Sequence, residues 1–152
     1  MSDQIVIAGA AELAPQRRPD GAVTTTGLLA AAMSEALVDA GIGLREVDGL
    51  GVASFTAAPD GPVDLAWQLG VRAQWVMGDI LTLSMLQHAV RALEAGDASV
   101  IVLVAGDRMT GPAFTELVER GYNRITRDHL APLPIGGPNA QFALLTQAHR
   151  NW

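Results

Sequence analysis

The sequence predicts an α/β fold: a mainly parallel sheet with flanking helices, then an irregular loop region and a terminal helix. Three observations point there. Short apolar runs alternate with amphipathic stretches in the order β-α-β-α-β-α-β. The run Ser99 to Ala105 (SVIVLVA) is apolar at every second position and between them, the pattern of a strand inside a sheet covered on both sides. It follows a helical stretch across the tight Ala95-Gly96-Asp97 turn, so the two make one αβ unit.

The elements follow in chain order. Ile5 to Ala10 is a short apolar run and reads as the first strand. Pro15 to Gly21 is polar and proline-rich, a loop. Thr24, Thr25 and Thr26 offer capping hydroxyls for a helix over 27–40, with Leu28, Leu29, Met33 and Leu37 on its apolar arc and Ser34, Glu35 and Asp39 opposite. Gly41 and Gly43 end it. Val47 to Ser54 is a second strand, loosened by Gly49 and Gly51. A turn cluster at 59–62 leads to a short helix over 63–69, stopped at Gly70. Gln74 to Met77 is a third, short strand suited to a sheet edge, and 82–95 is the clearest helix. Leu83, Leu86, Ala89, Val90 and Leu93 form its apolar stripe and are expected to cover the sheet. From Gly106 to Asn139 prolines and glycines dominate, with one short helix expected over 114–120. A helix over 140–150, carrying Phe142, Leu144, Leu145 and Ala148, follows. The organisation is a single domain over 1–152: core 1–109, loop region 110–139, terminal helix 140–150.

Composition removes whole classes of chemistry. The chain has 152 residues, 49% of them apolar, enough for one sizeable core. A net charge of −6 disfavours nucleic acid and anionic membrane as partners. All ten basic residues are arginines, so Schiff-base lysine chemistry and a P-loop lysine are excluded. There is no cysteine, hence no thiolate nucleophile, disulfide or thiolate zinc site. His88, His129 and His149 are scattered without clustered carboxylates, so no metal site is expected. Gly41-Ile42-Gly43 follows a helix rather than a strand and is no dinucleotide fingerprint. The start, Met1-Ser2-Asp3-Gln4, lacks a basic or long apolar leader, and the expected localisation is cytoplasmic.

Two segments then bear on function. Glu35-Ala-Leu-Val-Asp-Ala-Gly-Ile42, followed by Val47-Asp-Gly-Leu50, resembles the A-L-x-D-A-G-[IL]…[IV]-D-G segment of the thiolase superfamily. Thr82 to Met109 resembles the helix and strand that follow the thiolase nucleophile, and Val104-Ala-Gly-Asp-Arg-Met109 is most similar to the sterol-carrier and lipid-transfer branch. Ala140 to Arg150 resembles the helix after that family's loop domain. The resemblance covers nearly the whole chain, and order and spacing carry it rather than any single motif. It is to the N-terminal half of a thiolase.

The resemblance implies an acyl-CoA-processing enzyme that makes or breaks carbon–carbon bonds, with a coenzyme A thioester as substrate and no covalently bound cofactor. Counted back from Ala95-Gly96, the nucleophilic cysteine's position falls on or beside Asp79. No catalytic residue is therefore assigned; Asp79 is either a polar group at that site or a carboxylate serving a helix N-terminus. The family's general-base histidine lies in the other half. Lyases of the lipid-transfer branch work without the cysteine, so its absence leaves aldol-type activity open. The expectation is a subunit of a heteromeric enzyme, inactive as a thiolase alone, whose partner is a thiolase-like C-terminal half or a small OB-type companion. The alternatives are a non-catalytic acyl-CoA-binding or scaffolding module, or a truncated thiolase fragment. Arg17, Arg18, Arg120, Arg124 and Arg127 either meet coenzyme A phosphates or are simply solvated. Trp67 and Trp75 are expected in a core or interface. Self- or hetero-association is expected through Trp75, Met85 and Ala92.

Overall fold

The computed structural model describes residues 4–17, 21–57, 61–114 and 138–151. The chain divides into two compact units, Met1–Arg108 and Met109–Trp152.

In the first unit, helix α1 (Thr25–Ala40) begins where Thr24 Oγ1 accepts the Gly27 N–H at 3.0 Å. It ends at Gly41, whose φ of 67° places the residue in the left-handed region that glycine adopts without strain. A 3₁₀ turn (Leu44–Glu46) leads to strand β1 (Gly49–Ala53), helix α2 (Gly61–Leu69), strand β2 (Trp75–Gly78), helix α3 (Thr82–Ala95) and strand β3 (Ile101–Ala105). The strands form a parallel sheet in the order β2-β1-β3, with Gly49 opposite both Trp75 and Ile101. Parallel neighbours need a crossover, and α2 and α3 supply the two that are required.

Side chains alternate across β1, and the two faces are covered differently. Leu50 and Val52 point into the main core with Val102 and Val104 of β3, Leu29 and Met33 of α1, and Leu65 and Ala66 of α2. On the other face β1 presents Gly49, Gly51 and Ala53, all small. There α3 packs closely, through Met85, Ala89 and Ala92, all buried. A Cβ on Gly51 would stand 2.6 Å from Leu103 Cδ2 and 2.8 Å from Met85 Sδ. The missing side chain is what lets Met85 lie there.

Asp48 ties the starts of the strands together. Its carboxylate accepts the N–H groups of Ser99 (2.9 Å) and Val100 (2.8 Å), leading into β3. Its carbonyl oxygen accepts the Gln74 N–H at 2.6 Å, ahead of β2. The Asp-Gly pair that the sequence comparison singled out is thus a bracket at the entry to all three strands.

Four expectations are corrected. Residues 5–10 are not a strand: Ile5, Val6 and Ile7 are exposed and no described strand pairs with them. The segment instead lies along the end of α1. A Cβ on Gly9 would fall 2.6 Å from the Ala40 nitrogen, and the Ala10 N–H donates to Asp39 Oδ2 at 3.0 Å. Second, β3 is covered on both faces but lies at an edge of the described sheet, pairing only with β1. Apolar periodicity reports which faces are covered and says nothing of lateral neighbours. Third, the buried stripe of α3 is Met85-Ala89-Ala92, while Leu83 is 82% exposed and Leu86 is also exposed. Met85 and Ala92 therefore cannot be association contacts; of the stripe expected on the sheet Ala89 is buried, Val90 and Leu93 are half-buried, and Leu83 and Leu86 are on the surface. Fourth, of the two places expected for Trp67, a core or an interface, its 86% exposure removes the core of this chain and leaves the interface.

In the second unit the described residues include a helical turn at 111–114 and helix α4 (Pro138–Arg150). Phe142, Leu144 and Leu145 on α4 are exposed. The rest of the helix expected over 114–120 lies outside the described residues. No helix among the described residues is long and apolar enough to cross a membrane.

Candidate functional site

The carboxyl ends of parallel strands are where α/β sheets place their ligands, because the loops there diverge and leave a crevice. An open pocket of about 200 Å³ lies at that end of β1 and β2, lined by Val52, Ser54, Ala57, Pro62, Gly78, Asp79 and Ile80. It is smaller than the roughly 300–1,000 Å³ of a whole small-molecule site. It has room for a short part of a ligand and not for a complete coenzyme.

Asp79 stands between the end of β2 and the start of α3. Its N–H donates to the Val52 carbonyl oxygen at 3.1 Å, holding it beside β1, and its Oδ1 accepts the Leu81 N–H at 3.0 Å. The carboxyl is held below its ordinary value of 3.8, first by the Leu81 N–H and then by the Ser84 hydroxyl. Partial burial opposes them, and the Ile80 N–H and the His88 charge add to the lowering. Asp79 is therefore a carboxylate at neutral pH, among the residues that line the pocket. In the structure Asp79 accepts the Leu81 N–H on the approach to α3 and is among the residues that line the pocket.

Ser54, the other polar side chain of the lining, is committed elsewhere. Its hydroxyl donates to Asp107 Oδ1 at 2.6 Å and accepts the Ala57 N–H at 3.0 Å. Asp107, just past β3, also accepts the Phe55 N–H (3.0 Å), the Thr56 N–H (2.8 Å) and the Thr56 hydroxyl (2.6 Å). With the Thr56 proton so placed, Thr25 donates across 2.8 Å to Thr56 Oγ1, and the Arg108 N–H donates to Thr25 Oγ1 at 3.1 Å. This relay joins the loop after β1, the loop after β3 and the first turn of α1. It fixes the wall of the pocket that Ser54 and Ala57 form.

Sequence reasoning placed Asp79 and missed Ser54, Thr25, Thr56 and Asp107 as a unit. These partners lie 31 to 83 residues apart, and no local spacing announces them. His88 is exposed on α3, and Arg17 and His149 are exposed. Arg18, Arg120, Arg124, Arg127 and His129 lie outside the described residues. Among the described residues no three His, Asp or Glu side chains gather to hold a metal.

A parallel sheet with helices on both faces and a pocket at its carboxyl edge defines, first, an α/β domain of the class that places its sites past the strand ends. The comparison with solved structures makes the class narrower. Over 87% of its length the chain superposes on the Ltp2-ChsH2(DUF35) aldolase, with a TM-score of 0.67 and 20% identity, covering 34% of that chain. OleA from Xanthomonas campestris, in crystals with lauric acid and lauroyl-CoA, matches over 78% of this chain and 39% of its own, with a TM-score of 0.56 and 22% identity. FabH, the 3-oxoacyl-(acyl carrier protein) synthase III of Xanthomonas oryzae pv. oryzae, matches over 57% of this chain and 28% of its own, with a TM-score of 0.51 and 24% identity. These are thiolase-fold proteins, and the chain has the thiolase fold. It spans about a third of the length of these neighbours. No family model and no curated protein matches the sequence.

Proposed function

We propose that the chain is a thiolase-like subunit of a heteromeric enzyme that processes acyl-CoA thioesters at a carbon–carbon bond, and that it has no thiolase activity by itself. The observation that carries the reading is the position of the pocket. It lies at the carboxyl ends of β1 and β2 and the approach to α3 and is lined by Asp79, the residue on or beside which counting along the sequence puts the fold's nucleophile, and this supports reading its carboxylate as standing where a thiolase has a thiolate. A carboxylate of lowered proton affinity is a poor acyl carrier for Claisen chemistry. Aldol-type cleavage needs no acyl-enzyme, and an aldolase is among the structural neighbours. That neighbour's name joins two components, which fits a chain whose chemistry is completed by a companion.

Exposed apolar side chains support association. Ile80, Leu81, Leu83 and Leu86 follow one another from the pocket into α3 and are all exposed. Val76 on the edge strand β2 is exposed as well. Apolar surface of this kind is covered by a partner in most proteins that carry it. The expected companion is a thiolase-like C-terminal half or a small OB-type chain, and whether the adjacent reading frame encodes either discriminates this reading from a non-catalytic module.

Two measurements test this. Intact-mass spectrometry after incubation with acetyl-CoA is expected to show no covalent adduct; a stoichiometric acyl-enzyme, or thiolytic turnover by the chain alone, overturns the proposal. Light scattering at micromolar concentration is expected to give a mass above that of one chain, lowered by Leu83→Arg. A monomer mass unaffected by that substitution removes the case for a partner on this face.

A further inference from the structure

Just past β3, Arg108 holds a donor that nothing satisfies. Its Nε is sealed from solvent and finds no hydrogen-bond acceptor, and it alone among the buried side-chain nitrogens and oxygens of the described residues is in that position. An arginine ordinarily lays its stem along the protein and keeps its charged head in water. A buried donor is ordinarily paired, because otherwise it loses the hydrogen bond it made to water. Arg108 does neither, and its side chain is half-buried. The backbone that carries it is fixed. The Gly106 N–H donates to the Ala53 carbonyl oxygen at 3.0 Å, and the Arg108 N–H donates to Thr25 Oγ1 at 3.1 Å. Two places from which a counter-charge would be expected supply none. The Asp107 carboxylate is turned to the loop after β1 and taken by Ser54, Phe55 and Thr56. The first turn of α1, to which Arg108 is tied, has no acidic residue.

We infer that Arg108 is a binding site for an oxyanion, the phosphate or carboxylate group of a small ligand. The guanidinium is always charged, and a partly desolvated cation without a counter-charge is costly. A neutral carbonyl would satisfy the Nε–H and leave the charge. A halide would meet the charge and not the geometry. An anion with two oxygens meets both, because the Nε–H and the adjacent Nη–H of an arginine point the same way in a rigid fork. Arg108 is not among the residues that line the pocket at the ends of β1 and β2, so this site is separate from that pocket and independent of the acyl-CoA reading.

The test is urea unfolding of the full chain in chloride, inorganic phosphate and acetate at one ionic strength, for the unsubstituted chain, Arg108→Met and Arg108→Lys. Phosphate strengthens folded chains in general by exclusion from their surface, and that effect rises without saturating. A site saturates. At about ten times the half-saturating phosphate concentration, the unfolding constant of the unsubstituted chain is expected to lie about tenfold below its value without the site. Acetate with a saturating effect of its own extends the site to carboxylates; saturation by phosphate alone assigns it to phosphate groups. Arg108→Met keeps an apolar stem and the backbone bond to Thr25, and should show only the general effect. In chloride it should be at least as stable as the unsubstituted chain, since it buries no unpaired donor. The order of stability is thus expected to reverse when phosphate is added. Arg108→Lys, which keeps the charge and loses the fork, should show a weakened saturating response. A merely structural arginine would cost the same stability in every salt. A saturating response that survives in Arg108→Met overturns the inference. So does an unsubstituted chain that shows no saturation in either phosphate or acetate, and that result decides the matter even if neither variant folds.

Discussion

Gly51→Val is expected to destabilise the fold by about 3 kcal/mol, the upper part of the usual cost of overpacking a core. The first carbon alone would intrude to 2.6 Å from Leu103 Cδ2 and 2.8 Å from Met85 Sδ. Met85 is 0% exposed and has nowhere to retreat except by lifting α3 from the sheet. Gly51→Ala should cost less, about 1 kcal/mol, because a single methyl asks for a smaller shift of the Leu103 and Met85 side chains than the branched valine does. Met85→Ala should cost about 3 kcal/mol through the cavity it leaves. The decisive comparison is the double variant Gly51→Ala, Met85→Ala. There the new methyl occupies part of the void, so the loss should fall clearly short of the sum of the singles. Urea unfolding gives all four values. Additive losses would mean that Gly51 and Met85 do not share one space, and the account of how α3 seats on β1 would be wrong.

Removing the Asp107 carboxylate is the second large effect. Asp107→Ala strips an acceptor from two hydroxyls and two backbone N–H groups, and a loss of about 2 kcal/mol is expected at neutral pH. The carboxyl is partly exposed, so solvent replaces some of what is lost. Burial pushes its pKa up, but the Ser54 and Thr56 hydroxyls and the Phe55 and Thr56 N–H groups together outweigh this and bring it below 3.8. The direction sets the pH dependence. A folded-state value below the unfolded one means that the ionised form stabilises the fold. That contribution is complete above the unfolded value and fades as pH falls through the folded value. The stability gap between wild type and Asp107→Ala should therefore be constant near neutrality and narrow below pH ~4. A gap that widens on acidification would reverse the sign and refute the assignment.

The sequence made much of the first unit legible. Thr24 caps α1 and Gly41 closes it, Thr82 to Ala95 is helical as expected, and three of the four strands stand within a residue or two of their expected places. What misled was residue size. A stripe of leucines looks like the inward face of a helix, yet the inward face of α3 is built from Ala89, Ala92 and one methionine, because its counterpart on β1 is glycine. Small residues facing small residues give close packing with little hydrophobic signal. Leu83 and Leu86 then stand exposed on the other side of the helix. Residues 5–10 failed for a related reason: a strand exists only when another strand pairs with it, and an apolar run states a capacity rather than a neighbour. At the pocket, Asp79 had already been singled out by counting along the chain. The relay around Asp107 could not, since only the folded sheet brings residues 25, 54–56 and 107 together.

That relay also bears on how fast the molecule comes apart. Its bonds close sequence separations of 31, 51 and 83 residues, and no short segment can form it in advance. The entropy of closing such loops is lost only after the sheet has already brought the strand ends together, so the relay forms on the native side of the folding barrier. Damage there should leave the refolding rate almost untouched and appear as faster opening. The three threonine and serine hydroxyls with their single carboxylate thus act as a latch on the lifetime of the folded sheet, and the pocket wall they hold persists only as long as the latch stays shut.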